Sequence, residues 1–407
     1  MNSQILHNYF LIIFSFIPVS FLIGPSISLS NVILIDLSFI LLLFYKKDFS
    51  FLKNETTKYL LILLLYLIFN SFISLDPFSG LFRNLGFVRM IFLFLFINYF
   101  YLNNSNKFLK IWTIIILIVI LDIYFERLFG TNIFGWGGEE PFAQRVVSFF
   151  KDEPGPGSFL SGFLFIIFGN LLKKYNSRKI YALTFLFLAF IALLFTGERS
   201  IFIKILIGSI IYLLFIRYPI KRKILFVVSF ILIAIISINS SDYLKLRYYS
   251  QFFDRINSEE KIIKFTQESI YFNHYKSGYE VFKKYPWFGV GNKNYRVETC
   301  NPLEIEKNYI CTTHPHQIYF EFLSEHGILG TFILLGILFY LIFKILLNIL
   351  KTRDEVQLGA FIYVIIIFIP FLPSGSFFSD FNLTIFWINF SLMFACSKET
   401  NVFEKNR

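Results

Sequence analysis

Residues 327–348 read GILGTFILLGILFYLIFKILLN, twenty-two residues in which Lys344 is the only charge. As a helix, such a run is long enough to cross the ~30 Å hydrocarbon core of a bilayer. It is one of twelve. The runs 8–24, 27–45, 59–75, 85–102, 108–126, 157–172, 180–196, 200–217, 223–239, 327–348, 357–373 and 381–396 carry the same pattern. Composition agrees. Hydrophobic residues make up 56% of the chain and Phe alone occurs 57 times, against about 45–50% apolar in soluble domains. Lipid, rather than a soluble core, must solvate that surface. Long uninterrupted runs exclude an outer-membrane barrel, whose strands alternate. The expected fold is all-α: a polytopic membrane protein with about twelve transmembrane helices, forming a single membrane domain over 1–407.

The formal net charge is +11, but its placement argues against a nucleic-acid partner. Lys and Arg collect in alternate connections: Lys46, Lys47, Lys53 and Lys58; Lys107 and Lys110; Lys173, Lys174, Arg178 and Lys179; Arg217, Lys221, Arg222 and Lys223; Lys344, Lys351 and Arg353. The opposite short connections hold few, among them Arg83, Arg127, Arg145, Lys151 and Arg199. The positive-inside rule then places both termini in the cytoplasm. The first apolar run lacks a basic start and reads as a retained span, not a cleaved signal. Two hydrophilic segments fall on the outer face, 127–157 and the much longer 238–326 between spans nine and ten. A connection that long is usually functional. Rich in Tyr, Phe and charge, it is expected to fold, mostly as helix.

Four of the five histidines lie in the long outer segment: His274, His314, His316 and His326. His326 reads as a solvated loop side chain. His314 and His316 stand in CTTHPHQIYFEFLSEHGILG, residues 311–330. Pro315 suits the first position of a helix, which would put His316 in a first turn whose free N–H groups favour an anion. Phe320, Leu323, Gly327 and Gly330 follow at helical spacing, the glycines allowing close packing. The plainer reading is a helix start with an incidental histidine. FTGERSIFIK places Glu198 and Arg199 between two spans, either as an interfacial anchor or with Arg199 clamping an anionic headgroup. AQRVVSFFKDEPGPGSFLSG sets Arg145, Asp152 and Glu153 before the sixth span, with glycines that let the backbone approach a ligand; the alternative is an ordinary polar loop. HYKSGYEVFKKYPWFGVGNKNYRVETC contains an amphipathic stretch from Ser277 to Tyr285, ended by Pro286 and a Gly289–Gly291 turn. Cys300 and Cys311 are spaced to close a disulfide just before His314, which an oxidising compartment permits; Cys396, at the end of an apolar run, reads as inert.

Absences narrow the chemistry. The sequence has no Asp-x-Asp, no Walker A and no Gly-x-Ser-x-Gly. A metal site at His314 and His316 lacks obvious further ligands, so no metal and no cofactor are expected.

These residues resemble the O-antigen ligase and O-antigen polymerase superfamily of bacterial inner membranes. That family's motif is His, then Asn, Ser or Gln, nine residues, Gly, two residues, and Gly, Thr or Tyr. Here it reads His316, Gln317, nine residues, Gly327, two residues, Gly330. Likeness extends to YPWFGVG leading to NYR, to Gly-Glu-Arg-Ser before a span, and to KDEPGPGSFL after Arg145. It covers roughly 140–335 together with the pattern of spans. The resemblance implies a GT-C-like membrane glycosyltransferase, metal-independent and inverting, with its site facing the periplasm. The donor would be a glycan on undecaprenyl pyrophosphate, the acceptor a sugar hydroxyl on lipid A–core or on another lipid-linked glycan. His316 would be the general base and Arg199 a pyrophosphate ligand, with Arg145 and Glu153 in the same cavity and His314 orienting the base or touching the acceptor. Many ligases carry Arg-Trp ahead of the Pro-x-x-Gly-x-Gly segment. Here NHYKSGYEVF stands there, with His274 and Lys276, so the second phosphate-binding cation is left open between Lys276 and Arg296. Ligase and polymerase share this architecture, and the complete His motif favours ligase. A transporter or flippase of lipid-linked glycans has a similar span count, but the charges here sit at span ends rather than at the midplane.

Overall fold

The computed structural model describes residues 3–137, 145–151, 153, 155–175, 178–251, 258, 269–302 and 309–404. Among them the regular secondary structure is helical, and no strand occurs. Six candidate spans are long and apolar enough to cross a membrane: Pro25–Lys46, Glu55–Phe72, Pro77–Phe129, Pro156–Lys174, Ile220–Asn239 and Ile318–Thr352. The bent pair Gln4–Ser15 and Ile17–Ile23 makes a seventh if counted as one. Ile180–Thr196 and Glu355–Ile367 are apolar but shorter.

The hydropathy pattern divides 85–126 into two spans. Helical backbone runs from Val88 to Phe129, but it is sharply bent, since the Phe14 ring lies 5.8 Å from that of Phe100 and 5.2 Å from that of Trp112, residues that a straight helix would hold about 18 Å apart. The polar stretch at 103–107 contains neither Gly nor Pro, and its asparagine at 104 bonds back to the preceding turn. Asn104 Nδ2 donates to Phe100 O at 3.0 Å, as Asn98 does to Phe94 O at 2.9 Å.

The chain divides into two compact units, one of Met1–Ile35, Phe100–Ile262 and Thr352–Ile367, the other of Asp36–Tyr99, Ile263–Lys351 and Phe368–Arg407. In the first, Pro156–Lys174 is the core helix, buried almost throughout. It crosses Glu355–Ile367 at near backbone contact: a Cβ at Gly169 would lie 2.2 Å from Glu355 O, and one at Gly359 2.1 Å from Phe165 O. Small residues at such crossings let helices gain dispersion contact where lipid offers no hydrophobic drive.

The second unit is organised by Ile318–Thr352, which breaks at Gly327 (φ 63°, ψ −170°). The segment after Pro286 fills that break. Ile328 N donates to Pro286 O at 2.8 Å and Leu329 N to Trp287 O at 3.1 Å, while Ser324 O and Glu325 O accept from Val290 N at 3.0 Å and Gly291 N at 2.9 Å. A continuous helix would pair residues 328 and 329 with 324 and 325. Both bonds are exchanged rather than lost, which apolar surroundings require. Gly330, one turn on, leaves room for Tyr66, whose hydroxyl would lie 1.6 Å from a Cβ there.

Contacts within each unit segregate the connections into two sets. In the second unit Leu75 N bonds Val290 O (3.0 Å), Asp76 N bonds Asn294 Oδ1 (2.7 Å), and Arg89 pairs with Asp380 (3.0 Å). At the other helix ends Lys344 pairs with Glu55 (2.5 Å) and Asn401 Nδ2 bonds Asn98 O (2.7 Å). In the first unit Glu198 and Arg247 meet the 157 and 197 turns, while Lys173 pairs with Asp354 (2.6 Å).

An added methyl at Gly327 meets the Trp287 carbonyl carbon at 2.3 Å and must also adopt a positive φ. Gly327→Ala should therefore lower the melting temperature of the detergent-solubilised protein by several degrees or more, since strain and steric conflict of this kind cost about 1–3 kcal/mol or beyond. Gly336→Ala, with nothing within 4 Å, should leave it unchanged.

Candidate functional site

The residues ahead of Ile318 do not begin the helix as Pro315 suggested. Gln317 caps it instead, its Oε1 accepting from Tyr319 N at 2.8 Å and Phe320 N at 3.0 Å. The first-turn donors are thus already engaged, and Pro315 lies in the irregular approach. His316 stands outside the helix in the left-handed region (φ 55°), and its carbonyl accepts from Ser374 N at 2.9 Å.

That turn gathers three imidazoles in the second unit. The ring of His316 lies 4.1 Å from that of His314 and 4.6 Å from that of His274. His274 comes from the Ile270–Lys284 helix, which approaches the turn through Gly278; a Cβ there would lie 2.8 Å from Pro315. Burial, first of all, holds each ring below the ordinary histidine range: His314 to about 3 and His316 to about 4, with His274 lowered too. Mutual repulsion and the charge of Lys293 add to the effect on His314. At neutral pH the cluster is a set of neutral imidazoles able to accept a proton. His314 Nδ1 is hydrogen-bonded to Thr313 Oγ1 at 2.9 Å. His326 is not the solvated side chain expected of it. It is fully buried against Phe322 and Phe378, with Nδ1 3.3 Å from Tyr66 Oη. Among the described residues no group of three or more His, Cys, Asp or Glu could hold a metal ion.

Behind the turn lies a polar chain that sequence reading missed. Lys293 (φ 63°) donates to Ser376 Oγ, which donates to Glu321 Oε1 at 2.6 Å; Glu321 Oε2 accepts from Phe377 N at 2.9 Å. Glu321 is fully buried. The signal was present, Glu321 standing one helical turn past Gln317, but the 371–379 partner is distant in sequence. Lys276 and Arg296 are both exposed. Cys300 and Cys311 are joined by a disulfide.

In the first unit, Glu198 turns from its neighbour to the start of the Pro156–Lys174 helix. Its Oε1 accepts from Gly157 N at 2.7 Å and its Oε2 from Ser158 Oγ at 2.9 Å, so it caps Pro156–Lys174 from outside. The glycine proposed to approach a ligand approaches this carboxylate. Burial pushes Glu198 up to about 7 against those bonds and the charge of Arg145. Arg199 donates to Arg247 O at 3.3 Å, and Arg247 to Gly197 O at 2.9 Å. Arg127 stacks on Tyr243 at 4.4 Å and donates to Ser241 Oγ at 2.6 Å. Four guanidiniums, of Arg127, Arg145, Arg199 and Arg247, bear electrostatically on Tyr243. Arg247 sits in the π-helical turn Lys245–Ser250, a distortion common at functional sites. Nothing in the linear sequence joined it to Arg199. Glu153 is exposed, and Asp152 lies outside the described residues.

Residues 184–335 match a family model described as O-Antigen ligase. The match includes Arg199, Arg247, the three-histidine cluster and Gly330, and it supports the O-antigen ligase and polymerase superfamily for this chain. No curated protein matches the sequence.

The histidines set a pH dependence. An unfolded chain protonates them near 6.5, whereas the folded turn holds His316 neutral to about 4 and His314 to about 3. The unfolded state then binds more protons, so stability is full above about pH 6.5 and falls as pH drops from there toward 4. Melting temperature in detergent should decline over that window, and less steeply in a His314→Gln/His316→Gln protein. Equal slopes would contradict the assignment.

Proposed function

We propose, from the O-antigen ligase domain at 184–335, that this protein is a ligase-type glycosyltransferase. It would move a glycan from undecaprenyl pyrophosphate to a sugar hydroxyl of lipid A–core at the periplasmic face of the bacterial inner membrane. The observation that carries this reading is the cluster of neutral imidazoles in which half-buried His316 packs against buried His274 and His314, inside the matched domain.

The chemistry follows from the groups. An acceptor hydroxyl is a poor nucleophile, and His316 would take its proton as the oxygen attacks the anomeric carbon. The carbon–oxygen bond to pyrophosphate breaks from the opposite face, inverting that centre, and pyrophosphate leaves with the electron pair. His314 would orient the base or contact the acceptor, with His274 holding the other side of the ring. Arg199 would bind the leaving pyrophosphate, joined by Arg145 and by Arg247 and Arg127. Fixed cations aimed at developing charge serve this step without a metal. Glu153 keeps only a peripheral role at the donor side.

The topology proposed with it has twelve spans in a single membrane domain, both termini cytoplasmic, and 127–157 and 238–326 outside. Two independent observations support this. Lys and Arg alternate between connections. Within each unit the connections assigned to one side touch one another. The same site would serve a polymerase, and the acceptor alone decides.

His316→Ala and Arg199→Ala should each abolish transfer in vesicles at unchanged protein level; full activity of His316→Ala would remove the base assignment. Transfer should persist in excess EDTA. Because His316 stays neutral to about 4, the rate should be level between about pH 5.5 and 7.5, and a fall centred near 6.5 would mean another base. With both acceptors offered, product on lipid A–core means ligase and lengthened lipid-linked glycan means polymerase.

A further inference from the structure

A groove of about 790 Å³ opens in the second unit beside the disulfide. One wall is the Pro77–Leu85 helix, giving Ser79, Phe82 and Arg83; the other is 293–302, giving Lys293 and Arg296. Among the described residues that line it none is acidic. Glu298, on the same short helix as Arg296, is committed to Lys284 at 2.6 Å and Tyr285 Oη at 3.1 Å. The groove therefore presents the exposed guanidiniums of Arg83 and Arg296, with Lys293 also in its lining. Its lining is apolar in part: Phe82 is 65% exposed, and its ring lies 4.9 Å from that of Phe78, 74% exposed beside the groove. The walls are fixed to each other, through Asp76 N on Asn294 Oδ1 at 2.7 Å.

Two features tie this groove to the histidine turn. Lys293 belongs to both: it lines the groove, its charge reaches His314, and it bonds Ser376 in the same 371–379 loop whose Ser374 holds the His316 carbonyl. The Cys300–Cys311 disulfide also links the wall to the strand of chain that leads into His314.

We infer that this groove binds the acceptor and that it selects a glycan carrying an acidic group, phosphate or carboxylate. The aromatic pair takes the apolar face of a sugar ring, while the forks of Arg83 and Arg296 take the anion. Lys293 ends the groove at the histidine neighbourhood, where the reacting hydroxyl would lie. The inference rests on the glycosyl-transfer reading above, and it reassigns Arg296 from the donor pyrophosphate to the acceptor.

The test uses the full-length protein in phosphatidylcholine liposomes, with and without phosphatidylglycerol, and an acceptor glycolipid offered phosphorylated or enzymatically dephosphorylated. In the wild type, removing the phosphate should raise the acceptor KM at least about tenfold, as expected for lost charge-assisted bonds. Arg83→Ala/Arg296→Ala should raise KM for the phosphorylated acceptor by a similar factor, cease to discriminate between the two, and leave the donor KM within about twofold. Arg83→Lys/Arg296→Lys should recover part of the loss. An unchanged acceptor KM, a shifted donor KM, or discrimination that appears only with phosphatidylglycerol present would each overturn the inference. If the wild type transfers nothing to any acceptor, the transfer reading fails. The groove is then judged by saturation-transfer NMR with glucose 6-phosphate against glucose: binding of the phosphate that the double alanine variant loses upholds an acidic-sugar site, and its absence removes it.

Discussion

The constraint on which the second unit depends is the exchange of backbone hydrogen bonds at Gly327. An apolar helix is hard to interrupt, because each unpaired amide costs several kcal/mol away from water. Here the interruption costs no bond. Ile328 and Leu329 N–H groups pass to Pro286 and Trp287, and the carbonyls they abandon are taken by Val290 and Gly291. Such a swap requires two backbones in contact. Gly289 and Gly327 provide it, since a Cβ on either would lie 2.3 Å from a backbone atom of the other segment. One junction thus fixes the break, the turn that fills it and, through Asn292 and Lys293 just beyond, the position of the polar chain behind the histidines.

The same junction explains what the sequence disclosed and what it withheld. The His-Gln-x9-Gly-x2-Gly pattern announces a helix with small residues on one face, and the helix is there. Hydropathy says nothing of φ, so Gly327 reads as a packing residue when it is a break. Pro315 is compatible with a helix start and equally with an irregular approach, and only the side chain of Gln317, bonded to Tyr319 and Phe320 N–H, decides between them. His326 looks polar in a string of letters. It is buried because the exchange carries its residue beneath the Trp287–Val290 segment, where Tyr66 supplies a partner.

The two units solve the burial of nitrogen bases in opposite ways. Imidazole can shed its proton, and the cluster at His316 does so, leaving a site able to accept one. Guanidinium cannot, so the arginines of the first unit must be solvated by the chain. Arg247 donates to Gly197 O, Arg199 to Arg247 O, and Arg127 lies on the face of Tyr243. Arg199 was legible because it stands at a span end. Arg247 was not, since its link to the 197 turn crosses some fifty residues and depends on a π-helical turn.

Glu198 and Arg199 show why adjacent charges need not form a pair. Gly197 in its left-handed turn (φ 73°) ends one helix, and Arg199 begins the next. The two side chains leave this corner in different directions. Glu198 supplies the negative charge that the N-terminus of Pro156–Lys174 favours and receives an N–H there. An arginine bound to its own neighbouring carboxylate would present little net charge to a ligand. With Glu198 committed to a helix end, Arg199 turns to the carbonyl of Arg247 and stands with Arg127, Arg145 and Arg247 around Tyr243.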